Sequence, residues 1–359
     1  MRADSTRQGA RAAAHPGEGT PVRTARPTIS DVAAAAGVSK ATVSRFFNHR
    51  ERLLSPDIAA RVEAAIAQLD YAPSTMAQAL SRGRSRLIGL VVADIANPYS
   101  VAVLRGAEQA CQDAGYLIVL CNLGNRPGRE REAIAALAGY QVDGFILNTL
   151  GRGSAVPDAV ATQGKPVVLV DRRHAGMAAD FVSLDNTGAI AMACDHLLAG
   201  GWQDLLYVTE PVAGVSTRRE RTAAFSAYLQ QQGHAMRGTV CENTEGDEDA
   251  LQEALVALRR NAGARRAAVV AGNAVVTLRV AQAVQRLGWR FGAELGFVGF
   301  DDPEWASLIG PGLSCIAQPT DAIGRDAARC LIERLQGHEG PARQTLLPGQ
   351  LVVRGSSLP

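Results

Sequence analysis

The sequence holds no apolar run long enough to cross a bilayer, which excludes a helical membrane protein. It also lacks paired cysteines. Six stand at positions 111, 121, 194, 241, 315 and 330, none forms a CxxC pair, and no Cys or His spacing resembles a zinc site. Four of them lie inside apolar stretches, where a thiol behaves as a small hydrophobe. Reduced structural thiols in a reducing cytoplasm are therefore expected. The first 27 residues are rich in Arg, Ala, Gly, Pro and Thr and lack the apolar centre of a secretory signal. They read as a flexible basic tail. Catalytic signatures are missing as well. No GxxxxGK[ST], HExxH or GxSxG occurs, Gly151-Arg152-Gly153 lacks a third glycine, and the histidines are scattered. Neither an enzyme nor a bound metal or organic cofactor is expected.

What is present is 359 residues, 47% hydrophobic and 20% charged, which suggests two or three globular domains. The formal net charge of +2 hides an asymmetry. Up to Arg86 there are 13 basic and 7 acidic residues, a balance of +6; the rest holds 24 and 28, a balance of −4. A basic head on a slightly acidic body points to a polyanion-binding module joined to something else.

The head reads as three helices. Thr28-Ile29-Ser30-Asp31 is a capping box, with the Asp31 carboxylate reaching back to Thr28. A short alanine-rich helix follows and Gly37 ends it, since glycine tolerates a left-handed turn. Ser39 caps a second helix, Lys40 to Phe47, with Asn48 at its end and Val43 and Phe47 on one face. Ser55-Pro56-Asp57 opens a third, whose apolar stripe is Ile58, Val62, Ile66 and Leu69. A tight glycine turn between the first two helices is the helix-turn-helix pattern, whose second helix enters the DNA major groove. Ser39, Thr42, Ser44 and Asn48 suit phosphate oxygens. Lys40, Ala41 and Arg45 are candidates for base edges: Arg45 can take a guanine bidentately and Ala41 can touch a thymine methyl. Thr28, at the start of the first helix, is placed with the DNA contacts.

The stretch Thr28 to Asn48, TISDVAAAAGVSKATVSRFFN, resembles the DNA-binding head of the LacI/GalR repressors. Ala72-Pro73-Ser74 and Met76 to Leu80 resemble that family's hinge helix, which is marginal alone and needs a partner to order it. The resemblance maps the family's minor-groove wedge onto Leu80 and its neighbouring alanine onto Ala77; such a wedge kinks DNA between base steps. Phe46-Phe47 departs from the family, which carries smaller aliphatics there.

From Leu87 the pattern changes to apolar runs expected of strands buried on both faces: Leu87–Ala93, Tyr116–Cys121, Gly144–Leu147, Pro166–Val170, Asp204–Val208, Ala267–Ala271 and Gly296–Phe300. Helical stretches lie between most of them. This alternation predicts parallel sheets with helices on both sides, and its length predicts two lobes. Ligands of such sheets bind beyond the carboxyl ends of the strands. Polar residues there include Asp94, Asn97, Tyr99, Asn148, Asp171, Arg172, Glu210, Asn273 and Asp301, although any one of them can simply cap a helix.

The resemblance continues through Asn97-Pro98-Tyr99, Val170-Asp171-Arg172, Arg218 to Arg221, Gly272-Asn273 and Gly299 to Asp302. It implies an all-α helix-turn-helix head on a two-lobed α/β body like the periplasmic sugar-binding proteins. Its effector contacts map onto Tyr99, Arg172, Arg221, Asn273 and Asp301; Asn148 is taken with them from the strand ends. Asn273 and Asp301 can share sugar hydroxyls. Two arginines facing a cleft suit a carboxylate, hence a sugar acid; an ion pair with Asp171 or Asp185 is the alternative for Arg172. Further segments resemble the branch of the family that regulates gluconate and 2-ketogluconate use. The implied domains are a tail (1–27), the head (28–72), a hinge and linker (73–86) and an effector-binding and dimerisation body (87–355). Within the body the expected lobes are 87–170 with 318–343, and 171–317 with 344–355. The expected function is a cytoplasmic repressor on the nucleoid. Its partners are double-stranded operator DNA, a sugar or sugar-acid effector that releases DNA, and a second copy of itself, with no membrane. Residues 351–359 show no leucine heptads, so a dimer is favoured over a tetramer. The alternatives are a transport-type sugar-binding protein or a global catabolite regulator using the same body.

Overall fold

In a computed structural model of the protein, residues 27–47, 54–72, 83–126, 128–151, 159–160 and 162–358 are described. Asn48, Ala77 and Leu80, the 1–26 tail and the hinge segment 73–82 lie outside them. The chain divides into two compact units, Met1–Ser81 and Arg82–Pro359.

The first unit holds α1 (Ile29–Ala36), α2 (Lys40–Phe47) and α3 (Pro56–Leu69). Local chemistry sets each boundary. The Thr28 amide and hydroxyl donate to Asp31 Oδ2 at 2.7 and 2.8 Å, which holds the Asp31 carboxyl below its ordinary range. Gly37 closes α1 at φ 64°. Ser39 Oγ accepts from the Thr42 amide at 3.2 Å, and Ser55 Oγ from Ile58 at 3.4 Å. Arg61 of α3 adds a cap that no local pattern announces. Its Nε donates to the Ala36 carbonyl at 3.1 Å and its Nη2 to Gly37 at 3.0 Å, satisfying the end of α1. Val32, Val43 and Val62 are fully buried at the centre. Phe46 and Phe47 pack against the same cluster, Phe47 lying 5.9 Å from the Tyr71 ring, so the larger side chains are absorbed by the core.

The second unit contains two six-stranded sheets. The first comprises β1 (Leu87–Val92), β2 (Leu117–Asn122), β3 (Gly144–Asn148), β4 (Val167–Val170), β5 (Asp180–Leu184) and β11 (Gln344–Leu347). Its order is β11-β5-β4-β3-β1-β2 and every pairing is parallel. The second comprises β6 (Trp202–Thr209), β7 (Arg237–Glu242), β8 (Arg266–Ala271), β9 (Gly296–Phe300), β10 (Ser314–Ala317) and β12 (Gln350–Val352). Its order is β12-β10-β9-β8-β6-β7, parallel except where β12 runs against β10. The two sheets are built on one plan. Each order reverses beside its first strand, the place where such sheets leave a crevice for ligands. Central strands such as β3 and β9 are buried at every residue, as their continuous apolar runs require.

The lobe boundaries differ from those expected. β5 and β11 both belong to the first sheet, so the chain crosses between lobes at Asp185, at Gln318-Pro319 and at Pro348-Gly349. The expected breaks after 170 and 343 fall one strand too early. β5 reads Asp-Phe-Val-Ser-Leu, and its buried Asp180 hides it from an apolar scan. Arg334 Nη2 and Arg343 Nη2 each stand 2.9 Å from the Asp180 carboxylate. Burial works to raise the Asp180 pKa, but the bonds from Arg334 and Arg343 outweigh it and hold the carboxyl far below its usual range.

Two further helices place the cleft. α4 (Pro98–Asp113) follows β1, and the helix after the second crossing, Thr320–Leu335, packs across it. They meet backbone to backbone. A Cβ on Gly106 would stand 2.1 Å from the Asp321 carbonyl oxygen, and one on Gly324 2.1 Å from that of Val103. Only glycine fits at either point.

Candidate functional site

In the head, α2 turns Val43 inward and leaves Ser39, Lys40, Ala41 and Arg45 exposed, with Thr42 and Ser44 half-buried. The Ser39 and Thr42 hydroxyls are hydrogen-bonded to each other at 2.9 Å. Small residues and two cations thus share one solvent-facing surface, which permits close approach to a groove and reach to its edges. Thr28 is exposed at the start of α1.

In the body, the structure gathers five of the six residues singled out for the effector. Tyr99, Arg172, Arg221, Asn273 and Asp301 line one cavity of about 30 Å³ at the carboxyl ends of the strands. It has room for about two waters. Through Asn97, Arg172 and Arg218 it adjoins a larger cleft of about 410 Å³. Asn148 stands apart from both: it is 2% exposed and its Nδ2 donates to the Val170 carbonyl at 3.1 Å, tying β3 to β4. Asp302 also turns away, pairing with Arg354 at 2.7 Å.

Asp171 and Asp301 occupy equivalent places in the two lobes. Asp171 follows β4 and Asp301 follows β9. Both are left-handed, at φ 64° and 69°, an uncommon state for a residue with a side chain. Each amide donates at 3.0 Å to the adjoining strand, Asp171 to Val182 and Asp301 to Ile316. Backbone strain of this kind clusters at functional sites. The Asp301 carboxylate accepts from the Ala274 amide at 3.0 Å and from Gln318 Nε2 at 2.6 Å. Burial raises its pKa, opposed by Arg221 and by those two bonds.

Asn97 and Asn273 cap helices, as a local reading of such residues allows. Asn97 Oδ1 accepts from Tyr99 at 3.1 Å and Asn273 Oδ1 from Val276 at 2.9 Å. Asn273 also donates Nδ2 to Glu210 at 2.8 Å. Arg221 is 5% exposed, with its guanidinium carbon 4.2 Å from the centre of the Phe300 ring. Arg172 Nε lies 3.3 Å from Asp171, while Asp185 instead caps the next helix through Gly188 at 3.0 Å. Despite that ion pair, Arg172 Nε and Nη1 are buried without a hydrogen-bond partner, as is the Tyr99 hydroxyl. Leaving such a group unsatisfied costs about 1–3 kcal/mol. Burial raises the Tyr99 pKa well above the usual phenol value; Asp171 and Asp301 add to this and Arg221 and Arg172 oppose it. The phenol therefore keeps its proton and can donate.

Sequence reasoning passed over Tyr207 and Thr217 as wall residues of this cavity, whereas Asp171, noted at a strand end, does line it. Tyr207 sits inside the apolar run of β6, where nothing distinguishes it from core. Behind Arg172 lies a polar shell. His174, 3% exposed, bonds through Nε2 to the Thr149 hydroxyl at 2.7 Å, and burial, with Arg172 nearby, lowers its pKa to about 4. The six cysteines are free, and burial pushes the thiols of Cys111, Cys194 and Cys315 up to about 12. Among the described residues no helix is long and apolar enough to cross a membrane, and no three His, Cys, Asp or Glu side chains are grouped to hold a metal.

Comparison with known proteins agrees with this two-part design. Residues 28–74 match the bacterial regulatory proteins of the lacI family, and residues 194–357 match the periplasmic binding protein-like domain. The HTH-type transcriptional regulator PtxS of Pseudomonas plecoglossicida is 47% identical over 332 residues, spanning 92% of this chain and 96% of the relative. The HTH-type transcriptional regulator KdgR of Bacillus subtilis is 37% identical over 333 residues, spanning 93% and 98%. Among solved structures, the lac repressor dimer bound to operator and the anti-inducer ONPF superposes with a TM-score of 0.80 at 26% identity, covering 93% of this chain and 100% of that one. The complex of the transcriptional regulator CelR with cellobiose gives 0.66 at 27% identity, covering 92% and 100%. The chain belongs to the LacI family of bacterial transcription regulators: it is a sequence-specific DNA-binding protein rather than an enzyme, and it works in the cytoplasm, where its DNA lies.

Proposed function

We propose that the protein is a repressor whose operator affinity falls when a sugar acid of the gluconate or 2-ketogluconate type enters the cleft between the lobes. The observation that carries this reading is the convergence of Asp171, Arg172, Arg221 and Asp301 from both lobes on one buried cavity. Carboxylates share sugar hydroxyls, and a guanidinium whose N–H groups lack acceptors suits a carboxylate. A six-carbon acid does not fit the cavity of about 30 Å³ alone and extends into the adjoining cleft of about 410 Å³, where it touches both lobes. Contacts to both lobes supply the differential interaction an allosteric effector needs when the lobes shift.

On the DNA side, Lys40, Ala41 and Arg45 read base edges, while Thr28, Ser39, Thr42 and Ser44 hold phosphates. Asn48 joins the phosphate contacts, and Ala77 and Leu80 form the minor-groove wedge. Two copies bind a near-palindromic operator, their two-fold symmetry mirroring the half-sites. A thermal-shift screen of sugar acids tests the effector class. The true effector raises the melting temperature with concentration by mass action, and a flat response across the aldonates and ketoaldonates contradicts it.

A further inference from the structure

We propose that Asp143, in the body, is a positioning residue for operator binding: its carboxylate fixes the direction in which the chain leaves the first sheet for the head. This rests on the reading that two copies hold the two half-sites of one operator.

β1 begins at Leu87, so Ser85 and Arg86 are the last residues before the first sheet. Both are polar, Ser85 half-buried and Arg86 exposed, so core packing does not hold them. Asp143 does. Its Oδ1 accepts from the Ser85 amide at 2.9 Å and from the Ser85 hydroxyl at 3.0 Å, and its Oδ2 accepts from the Arg86 amide at 2.9 Å. A carboxylate that takes two successive amides and a hydroxyl fixes the chain in direction as well as in place. The Ser85 hydroxyl closes the grip by accepting from the Leu87 amide at 3.2 Å.

The backbone under this grip is strained. Arg86 is left-handed, at φ 57°, an uncommon state for a residue with a side chain. Such a conformation persists only where its surroundings over-determine it. Here two bonds do so: the Arg86 amide is taken by Asp143, and the Arg86 carbonyl accepts from the Leu117 amide of β2 at 2.9 Å. An extended residue at this point would continue the line of β1, whereas a left-handed one turns the chain out of it.

Asp143 is itself firmly seated. It lies between the helix Arg129–Gly139 and β3, and its amide donates to the Leu87 carbonyl at 2.7 Å. β3, which follows it, is buried at every residue and pairs with β1 inside the sheet. On the other side of the grip the chain is open: Arg84 is exposed, and a Cβ on Gly83 would meet nothing within 4 Å. The path of the linker is therefore set at Ser85-Arg86, by a side chain 58 residues from Ser85 in sequence.

Two heads that must reach two half-sites at once gain from linkers already pointed the right way, because ordering a linker on DNA costs entropy. Freeing the exit weakens binding at the correct spacing and tolerates a wrong one. A carboxylate that merely braced the start of β1 would alter stability and leave spacing alone.

The test is fluorescence anisotropy of the full-length protein on a DNA fragment selected by its own affinity, and on the same fragment with two base pairs inserted at its centre. Wild type should prefer the uninterrupted fragment by about 30-fold or more. Asp143→Ala should lose about 10-fold on that fragment and less than about 3-fold on the lengthened one, the scale of ordering a freed linker residue. Asp143→Asn, which keeps an oxygen for Ser85 but sets an NH2 against the Arg86 amide, should fall between. Ser85→Ala should narrow the preference alone and add little to Asp143→Ala. Melting temperatures report that each variant is folded. The proposal is overturned if all three single variants keep the wild-type spacing preference, whatever their melting temperatures. A wild type indifferent to the insertion also overturns it and removes the two-copy reading with it, whereas a wild type that discriminates keeps that reading whatever Asp143 does.

Discussion

The two lobes put an aspartate at the same place, with the same left-handed backbone, and then treat it differently. Asp301 is held by the Ala274 amide at 3.0 Å and by Gln318 at 2.6 Å. Asp171 has Arg172 Nε at 3.3 Å, and that arginine keeps buried N–H groups without acceptors. One lobe holds its aspartate in hydrogen bonds already made. The other presents polar groups whose cost is relieved only by something that enters. A binding site built this way couples occupancy to the position of the second lobe, because the unsatisfied side gains more from closing.

The sharpest way to break this comparison is to remove the satisfied aspartate. Asp301→Ala should lower effector affinity about 100-fold or more and abolish effector-driven release of DNA. Calorimetry and an operator-binding assay with effector check this, and an unchanged response would show that the effector site is elsewhere.

The next largest effect concerns the seam that carries Tyr99 and Gln318 together. Gly324→Ala places a Cβ 2.1 Å from the Val103 oxygen and 2.7 Å from the Ala107 nitrogen, both backbone atoms that cannot give way. Overpacking of this kind should cost about 3 kcal/mol and lower the melting temperature by roughly 6–12 °C. Calorimetric unfolding measures it.

The polar shell behind Arg172 predicts a pH effect confined to the first lobe. His174 is buried neutral with a pKa near 4, below the unfolded value of about 6.5. The unfolded state binds the extra proton between those values. Its stabilising contribution is therefore complete above about pH 6.5 and lost as pH falls toward about 4, by at most about 3 kcal/mol. His174→Gln, which keeps an amide for Thr149, should flatten that slope in urea titrations. An equal slope in both proteins would assign the effect to other groups.

The smallest effect lies outside both lobes. Arg61→Ala removes the cap on α1 and should destabilise the head by about 1–2 kcal/mol. Proteolysis or hydrogen exchange should show it in the head and leave the body unchanged.

These contrasts also explain what the sequence makes visible. Helix starts at Thr28, Ser39 and Ser55 are readable because a cap is a local bargain between neighbours in the chain. β1, β3 and β9 are readable because a strand buried on both faces must be apolar throughout. β5 escapes, since its buried Asp180 makes sense only with Arg334 and Arg343 some 150 residues away in sequence. Arg61 escapes for the same reason: its acceptors, Ala36 and Gly37, sit on another helix. At the site, residue type and strand-end position point to Tyr99, Arg172, Asn273 and Asp301, while Arg221, inside the helix Ser216–Gln232, comes only from the family resemblance. They also single out Asn148, whose amide is spent on Val170, and they pass over Tyr207, which lines the cavity. Hydrogen-bond satisfaction is a property of the folded neighbourhood, and the order of residues does not reveal it. The charge split between head and body is likewise sharpened. Arg172 and Arg221 line a buried cavity of the body, so the salt dependence of DNA binding should follow the head alone.

The most direct test is fluorescence anisotropy of the full-length protein on DNA fragments selected by its own affinity, titrated with 2-keto-D-gluconate. The account predicts release from DNA by wild type and no release from Asp301→Ala at the same ligand concentration. Release that persists unchanged in Asp301→Ala, or a wild type that stays on DNA at saturating ligand, would contradict it.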